Sequence, residues 1–359
     1  TMLKDHKGYL WIGTRDGLNK FDGYSFKTYT SRPGKKLSVL SNRILLLKED
    51  KWGNMWVKTY DEMVYRLNPT TEEVIQIQHP GGGFVNDKIR DIITLPSGQI
   101  WLTTSENGCY KIDTDPESYE PRVTLYSKVL RNLPSNDVRT VFEDVQKNVW
   151  ILTEGGLVCL EGGEKLQYYF KNEAFYTFTE NEKRILFGSV NSVRIYDKRT
   201  HVFSTLSLPA KSTVTSLASL TPNNYLLGTS DNGFYAYDFL QNKIQQFSLA
   251  KYPQMQTNAI EKIYVDRAGD AWLSIKSAGV LHFTFNQNKI DFIASKVNEG
   301  QISNPNFLIF EDEKDMLWVQ PYFGSFSWYN RASNALIPFS SVYNEDINTL
   351  FGYGVNHVV

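Results

Sequence analysis

A repeat with a period of 36–49 residues runs through the whole chain and constrains its fold more than any other feature. Each unit has one anchor position, and the eight anchors are Trp11, Trp56, Trp101, Trp150, Leu186, Leu226, Trp272 and Trp318. Six of the eight Trp residues of the protein occupy this position. Repeats of this length are typical of folds in which small similar units pack side by side and bury a core together.

An Asp precedes the anchor by six residues in five of the units. These residues are Asp5, Asp50, Asp144, Asp266 and Asp312. Each Asp lies among turn residues, where its carboxylate can accept backbone N–H groups. We therefore assign structural roles to these Asp residues and to the anchor Trp residues, which we expect to fill the space between neighbouring units.

Each unit is predicted to form four short strands. In the second unit, apolar runs at 44–47, 55–59, 63–67 and 74–77 are separated by turn residues, as in an antiparallel meander. The aromatic content of 14% also favours strands. A four-stranded sheet of this size cannot bury both of its own faces, and such sheets pack radially as propeller blades. The sequence predicts an all-β fold, a single β-propeller over residues 1–359, with either eight blades or seven blades plus the start of a second propeller.

Two units depart from the repeat. The fifth and sixth units, at 175–208 and 214–249, lack both the Trp and the leading Asp. A different contact between blades, on a side that faces a partner, and simple sequence drift are both consistent with this loss.

Several classes of function find no support in the sequence. The net charge is −1, which argues against a nucleic-acid binder because phosphate contacts require a basic surface. The five His residues lie in different units without a ligand spacing, so no metal site is predicted. Two cysteines, Cys109 and Cys159, cannot make a disulfide framework, and buried free thiols are the expected state. No cofactor is indicated.

The first unit is similar to a known repeat. Residues 5–23 read DHKGYLWIGTRDGLNKFDG, which resembles the two-component regulator propeller repeat found in hybrid two-component systems of Bacteroidetes. The resemblance covers nearly the whole chain, strongly in units 1–4 and 7. It implies the periplasmic sensor region of a receptor anchored in the inner membrane. It also implies a parent chain with a second propeller, an immunoglobulin-like domain and a kinase, a homodimer, and a ligand derived from a glycan.

Candidate ligand-binding residues are predicted at one end of the blades. In a propeller, the turns between the second and third strands share a face with the connections that enter the first strands, and polar and aromatic residues there suit sugar recognition. The candidates are Arg15, Arg43, Tyr60, Asp61, Lys88, Arg90, Glu106, Arg139, Glu154, Asp231, Glu261 and Tyr322. Local turn chemistry is the alternative interpretation for this face, since Ser, Thr and Asn also satisfy backbone groups in ordinary turns.

Arg90, Arg139 and Glu261 share a register on the innermost strands and are predicted to line the channel. Adjacent blades would bring the two guanidinium groups close together. If nearby acids neutralise them, the pair is structural, and the nearest candidates are Asp87, Asp137 and Glu106. If no acid does, the pair is expected to attract an anionic sugar group.

Three functions remain open at this point. The first is a non-catalytic extracytoplasmic sensor that detects a glycan-derived ligand and passes the signal to a kinase elsewhere in the parent chain. The second is a structural or interaction propeller that positions a neighbouring propeller or a dimer. The third is a propeller lyase or hydrolase, which would require a clustered acid and base.

Overall fold

The computed structural model describes most of the chain, in two compact units. The described residues are 1–30, 43–113, 121–163, 165–255, 257–276, 279–284, 289–293, 307–311, 317–321, 327–330, 333 and 335–338. The first unit spans Thr1–Phe175 and the second begins at Tyr176. The placement of all repeat units in one ring stays a prediction.

The first unit contains four sheets of four antiparallel strands, in the chain order of each repeat. Blade 1 is β1 (Met2–Lys4), β2 (Leu10–Gly13), β3 (Leu18–Phe21) and β4 (Phe26–Tyr29). Blade 2 is β5 (Ile44–Glu49), β6 (Met55–Thr59), β7 (Val64–Leu67) and β8 (Val74–Gln76). Blade 3 is β9 (Ile89–Thr94), β10 (Ile100–Thr104), β11 (Cys109–Asp113) and β12 (Arg122–Tyr126). A short helix, α1 (Lys128–Arg131), leads to blade 4, which is β13 (Val138–Glu143), β14 (Val149–Thr153), β15 (Gly156–Glu161) and β16 (Lys165–Tyr169).

The second unit contains four further sheets of the same kind. Blade 5 is β17 (Phe175–Glu180), β18 (Arg184–Ser189), β19 (Ser192–Asp197) and β20 (Val202–Ser207). Blade 6 is β21 (Val214–Thr221), β22 (Asn224–Thr229), β23 (Phe234–Asp238) and β24 (Lys243–Phe247). Blade 7 is β25 (Ile260–Val265), β26 (Ala271–Ile275), β27 (Gly279–Thr284) and β28 (Lys289–Ile293). Blade 8 is β29 (Phe307–Glu311), β30 (Leu317–Pro321), β31 (Ser327–Asn330) and β32 (Ala335–Pro338).

The eight sheets coincide with the eight predicted repeat units, and every anchor lies within the second strand of its sheet. Six anchor side chains pack against the following blade, as predicted: Trp11, Trp56, Trp101, Leu186, Leu226 and Trp272. Trp56 belongs to a cluster with Ile89 and Ile92 of blade 3, and Trp101 to one with Val138 and Val141 of blade 4. Both indoles are fully buried. The anchor is therefore the apolar contact between neighbouring blades.

The predicted Asp turn is confirmed, with one addition. In blade 4, Asp144 Oδ1 accepts the backbone N–H groups of Gln146 and Asn148, both at 2.9 Å. Its second oxygen, Oδ2, accepts the indole N–H of Trp150 at 2.8 Å. Asp5, Asp50 and Asp266 bind the indoles of their own anchors at 2.8–2.9 Å in the same way. One carboxylate thus stabilises the turn and fixes the orientation of the anchor ring. Asp312 lies outside the described residues, and Trp318, the anchor of the same unit, is buried.

Blade 3 shows how the repeat tolerates loss of the Asp. Leu95 stands six residues before Trp101 and is buried in the apolar cluster between blades 3 and 4. The indole N–H of Trp101 instead donates to Gln99 Oε1 at 3.4 Å, a long hydrogen bond. Packing of the anchor ring therefore persists without the carboxylate.

Blades 5 and 6, which lack the Trp, are joined by polar contacts in addition to an apolar cluster that contains Leu186. Asn181 Nδ2 donates to the hydroxyl of Tyr225 at 2.7 Å and to Ser219 Oγ at 3.1 Å. The guanidinium of Arg184 lies 3.4 Å from the ring centroid of Phe239, and its Nη1 donates to Pro222 O at 3.2 Å. The contact between blades 5 and 6 thus differs from the Trp contact of other units, as predicted. It joins blade 5 to the adjacent blade 6.

We expect Arg184→Ala to lower the free energy of unfolding by about 1–3 kcal/mol, because Arg184 is 7% exposed and supplies both a cation–π contact and charged hydrogen bonds. Chemical denaturation measures the change. Arg199→Ala is the matched control, since Arg199 is exposed in the same blade, and it is expected to change stability by less than about 0.5 kcal/mol. Equal effects of the two substitutions would contradict a bridging role for Arg184.

Candidate functional site

The two predicted groups of loops adjoin on one end of the first unit. The N–H of Tyr60, at the end of β6, donates to the carbonyl of Arg43 just before β5 at 2.9 Å. The N–H of Glu154 donates to Asp137 O at 3.0 Å in blade 4. These bonds join the turn after the second strand to the entry of the first strand within each blade. We call this end of the first unit, formed by Arg43, Tyr60, Lys88, 105–107, Asp137 and Glu154, the upper face.

A recurring Thr shapes the turns of the upper face. Thr104 and Thr153, three residues after their anchors, donate their hydroxyl hydrogens to the carbonyls of Gly108 and Gly156, both at 2.8 Å. The equivalent Thr14, Thr59 and Thr229 make the same type of bond. The sequence analysis assigned no role to these residues. The signal that could have identified them is their constant distance from the anchor.

Each first strand of blades 2, 3, 4, 6 and 7 has a β-bulge one residue after it begins. The extra residues are Leu45, Arg90, Arg139, Thr215 and Glu261. Arg90, Arg139 and Glu261 are therefore structurally equivalent, as their shared register predicts. A bulge redirects the side chain of its extra residue relative to the strand. Thr215 is an example of such a redirected side chain, since its hydroxyl donates to Ile260 O of the next blade at 2.5 Å.

The two arginines are brought together with acids between them. Arg90 Nη2 lies 2.8 Å from Asp137 Oδ1, and Arg139 Nη2 lies 3.5 Å from Asp137 Oδ2. Arg139 also forms an ion pair with Glu154. Two guanidinium groups thus face two carboxylates across blades 3 and 4. Acids of the protein therefore neutralise the two arginines, which is the condition given above for a structural pair. The two arginines no longer support the prediction of an anionic group on the ligand.

The other predicted acids have different partners. Glu106 lies 2.5 Å from Lys88 Nζ, with both side chains exposed, and its hydrogen bond raises the pKa of Lys88. Asp87 accepts Asn107 Nδ2 at 2.6 Å and the hydroxyl of Tyr110. Burial, with a smaller effect of Asp87, raises the pKa of Tyr110.

An aromatic side chain stands beside these charged groups on the upper face. Tyr60 is 58% exposed, and the guanidinium carbon of Arg43 lies 4.3 Å from its ring centroid. The neighbouring Asp61 accepts the hydroxyl of Thr59. Tyr60 is thus a large exposed ring on blade 2, the blade that precedes the hydrogen-bonding groups of blade 3 in the chain. Arg15 is exposed in the corresponding turn of blade 1.

The remaining candidates do not add to this face. Asp231 and Glu261 belong to the second unit. Asp231 accepts the hydroxyls of Ser212 and Ser230, whereas burial raises the pKa of Glu261. Tyr322 lies outside the described residues.

Local turn chemistry accounts for the Asn residues that precede the first strands. Asn136 Oδ1 accepts the N–H of Lys128 at 2.8 Å, and its carbonyl accepts the N–H of Gly108 at 2.8 Å. Asn258 binds Leu249 and Gly233 in the same way in the second unit. These residues join one blade to the next, as the alternative interpretation expected for Ser, Thr and Asn.

Other kinds of site are not indicated by the described residues. Within the described ranges, no group of three or more His, Cys, Asp or Glu residues is arranged to hold a metal ion. Over the same ranges, no helix has both the length and the apolar character of a membrane span. Cys109 and Cys159 are buried free thiols, and burial raises the pKa of both.

Comparison with known proteins connects this geometry to a family. Residues 132–155 match the family model for the two component regulator propeller. A stretch of 36 residues is 56% identical to histidine kinase P4 of Formosa agariphila, which is 10% of this chain and 3% of that protein.

Solved structures share the fold over most of the chain. The extracellular domain of a protein from B. thetaiotaomicron, described as a hybrid two component system, superposes with a TM-score of 0.51 and 18% identity. The match covers 94% of this chain and 51% of that domain, so the chain spans about half of its length. A catalytically inactive virginiamycin B lyase from Staphylococcus aureus gives a TM-score of 0.53 at 14% identity, covering 77% of this chain and 90% of the lyase. The chain therefore carries the two component regulator propeller repeat on a fold made of four-stranded propeller blades.

Proposed function

We propose that this chain is the sensor region of a hybrid two-component receptor and that its upper face binds a glycan-derived ligand. The observation that carries the proposal is the exposed ring of Tyr60 on blade 2, on the same face of the first unit as the ion pairs of blades 3 and 4. An exposed ring can stack on the C–H face of a sugar, and neighbouring carboxylate, ammonium and guanidinium groups can bind its hydroxyls. The match to the regulator propeller family supports the sensor role.

The chemistry of the upper face favours a neutral ligand. Arg90 and Arg139 are compensated by Asp137 and Glu154, and Lys88 by Glu106. A sulfate or uronate group would have to displace these internal carboxylates, which costs interaction energy. Hydroxyl groups of a neutral sugar can instead bind to the outer lone pairs and N–H groups of the same ion pairs. The proposed ligand class is therefore a neutral oligosaccharide.

The receptor context is part of the proposal. In it, the segment is extracytoplasmic and belongs to a membrane-anchored homodimer. A second propeller and an immunoglobulin-like domain of the same parent chain lie next to it, and ligand binding is passed through them to the kinase. The similarity to extracellular domains of two-component proteins supports this arrangement.

Binding to neutral, sulfated and uronate oligosaccharides by isothermal titration calorimetry tests the ligand. We expect a neutral oligosaccharide to bind, with an affinity that changes little between low and high salt. Tyr60→Ala is expected to weaken binding at least tenfold because it removes the stacking ring. Tyr24→Ala is the matched control, since Tyr24 is 97% exposed in the turn between β3 and β4, and it is expected to leave binding unchanged.

Two results would contradict the proposal. Unchanged affinity of the Tyr60→Ala variant would place the ligand elsewhere, and binding restricted to the anionic series would overturn the neutral ligand class. Analysis of the bound sugar for cleavage products separates sensing from the enzymatic alternative. Intact sugar is expected, because the carboxylates described on the upper face are each engaged with a cation or with neutral hydrogen-bond donors.

A further inference from the structure

The outer strand of blade 5, β20, differs from the other outermost strands of the described blades. Five of those strands contain a basic residue: Lys27 in β4, Arg122 in β12, Lys165 in β16, Lys243 in β24 and Lys289 in β28. β8 has three residues and β32 ends with Pro338. β20 has six residues, VFSTLS, with neither charge nor Pro. Basic residues, Pro and short length are the features that keep edge strands from pairing with other chains, and β20 lacks all three.

The backbone of β20 is aligned for pairing on its outer side. β20 is the last strand of its sheet, next to β19. The N–H of Leu208 donates to Asn191 O at 2.9 Å, in line with the strand register. Because hydrogen-bonded and non-hydrogen-bonded pairs alternate in an antiparallel ladder, Ser204 and Leu206 direct their N–H groups toward β19. Thr205 and Ser207 therefore direct theirs outward.

The side chains of β20 leave this edge accessible. Phe203 packs on Tyr196 with ring centroids 4.9 Å apart, and Leu206 packs on the apolar cluster between blades 5 and 6. Val202 is 61% exposed, and Ser204, Thr205 and Ser207 are exposed. The strand is thus held by two apolar side chains and presents small or β-branched residues, which suit a paired strand.

Charges at the two ends of β20 indicate what would pair with it. Arg199 lies in the turn before the strand and Lys211 follows it, and both are exposed. Asp197 in the same turn accepts the backbone N–H groups of Arg199 and Thr200 at 3.1 and 2.9 Å, so it serves the turn itself. A second copy of this chain would bring like charges together at both ends, whether it paired parallel or antiparallel. A strand with acidic residues at its ends would meet opposite charges instead.

We propose that β20 is a docking edge for an extended segment of another polypeptide, with an uncharged β-forming centre and acidic residues at both ends. The segment adds a fifth strand to blade 5 through the outward backbone groups of Thr205 and Ser207. Main-chain hydrogen bonds provide the affinity in this mode of recognition, and the flanking charges provide the selectivity. This interaction is independent of the ligand proposed for the upper face.

Fluorescence anisotropy with labelled peptides tests the docking edge. The probe is a peptide of alternating Val and Thr with a pair of Glu at each end, and the comparison peptide carries Lys in place of Glu. We expect the Glu peptide to bind at least tenfold more tightly. Thr205→Pro removes an outward N–H while keeping the backbone hydrogen bonds to β19, and it also removes the bond that the Thr205 hydroxyl accepts from Arg194. It is expected to weaken binding at least tenfold.

Two controls keep the test decisive. Gln246→Pro places Pro at the equivalent, exposed position of β24 in blade 6, and is expected to leave binding unchanged. The Glu peptide with N-methyl groups on alternate residues cannot form the ladder, and its loss of binding does not depend on how any variant folds. Equal affinity of the Glu and Lys peptides, or of the N-methylated and parent peptides, would overturn the proposal. The proposal would also be overturned if sedimentation velocity showed that the chain self-associates and that Thr205→Pro abolishes this self-association, because the occupant of the edge would then be a second copy.

Discussion

Trp56→Ala is expected to lower the free energy of unfolding by about 3–5 kcal/mol, the largest single effect that the fold implies. The indole is 0% exposed and fills the space between blades 2 and 3, where it meets Ile89, Ile92 and Leu102. Those side chains belong to strands that cannot close over the vacated volume without disturbing their own ladders. Ala at this position therefore leaves a cavity as well as losing the buried apolar surface.

Trp52→Ala is the matched control for this substitution. Trp52 lies four residues earlier, is 44% exposed, and contacts Lys51 with the ammonium 4.6 Å from its ring centroid. Removing it is expected to cost less than about 1 kcal/mol. Urea denaturation measures both variants, with a lower midpoint and an unchanged slope expected for Trp56→Ala. Similar midpoints for the two variants would show that the anchor is not the contact between blades.

The repeat made the fold predictable from sequence because one position recurs with the same physical task. An anchor side chain in the second strand of each blade must fill the gap to the next blade, so its spacing reports the size of a blade. The same argument located the Asp turns, since a carboxylate that recurs among turn residues can accept backbone N–H groups there. Leu186 and Leu226 were recognised from the residues around them, and they lie in β18 and β22 as expected.

Individual side-chain contacts could not be predicted in the same way. The bond that the Trp150 indole donates to Asp144 within blade 4 depends on the twist of one hairpin, and the partners of Arg90 and Arg139 depend on two bulges and on side-chain rotamers. A sequence register places residues on a strand, but it does not say which acid a guanidinium will reach. Asp137 was one of three candidate partners, and Glu154 was predicted only as a separate ligand-binding residue.

Replacement of the Trp contact in blades 5 and 6 was also beyond a pattern analysis. The sequence showed that the Trp and Asp were missing, but Arg184 and Phe239 carry no repeat signal because neither stands at an anchor position. Leu186 still packs in an apolar cluster at the anchor position, and the guanidinium of Arg184 on the Phe239 ring adds a second contact between the same two blades.

Asp50→Ala is expected to lower the free energy of unfolding by about 2–4 kcal/mol, although it removes only a small side chain. The carboxylate accepts the backbone N–H groups of Trp52 and Asn54, each at 2.9 Å, and the Trp56 indole N–H at 2.9 Å. Asp50 is 4% exposed, so the indole donor would be left buried without a partner, which costs more than the net value of the bond. Gln99→Ala in blade 3 is the comparison. Its bond to the Trp101 indole is long, and a loss below about 1 kcal/mol is expected.

A double-mutant cycle separates the indole bond from the turn. Trp56→Phe keeps an aromatic ring in the gap between blades but removes the indole N–H group. When Asp50→Ala is made in the Trp56→Phe variant, only the backbone hydrogen bonds of the turn are lost. We expect the cost of Asp50→Ala to fall by about 1 kcal/mol or more when Phe occupies position 56, because residues in direct contact couple by amounts of this order. Denaturant unfolding of the parent, the two single variants and the double variant gives the coupling energy. Strict additivity would mean that Asp50 acts on the turn alone and that packing, without the carboxylate, fixes the orientation of the Trp56 ring.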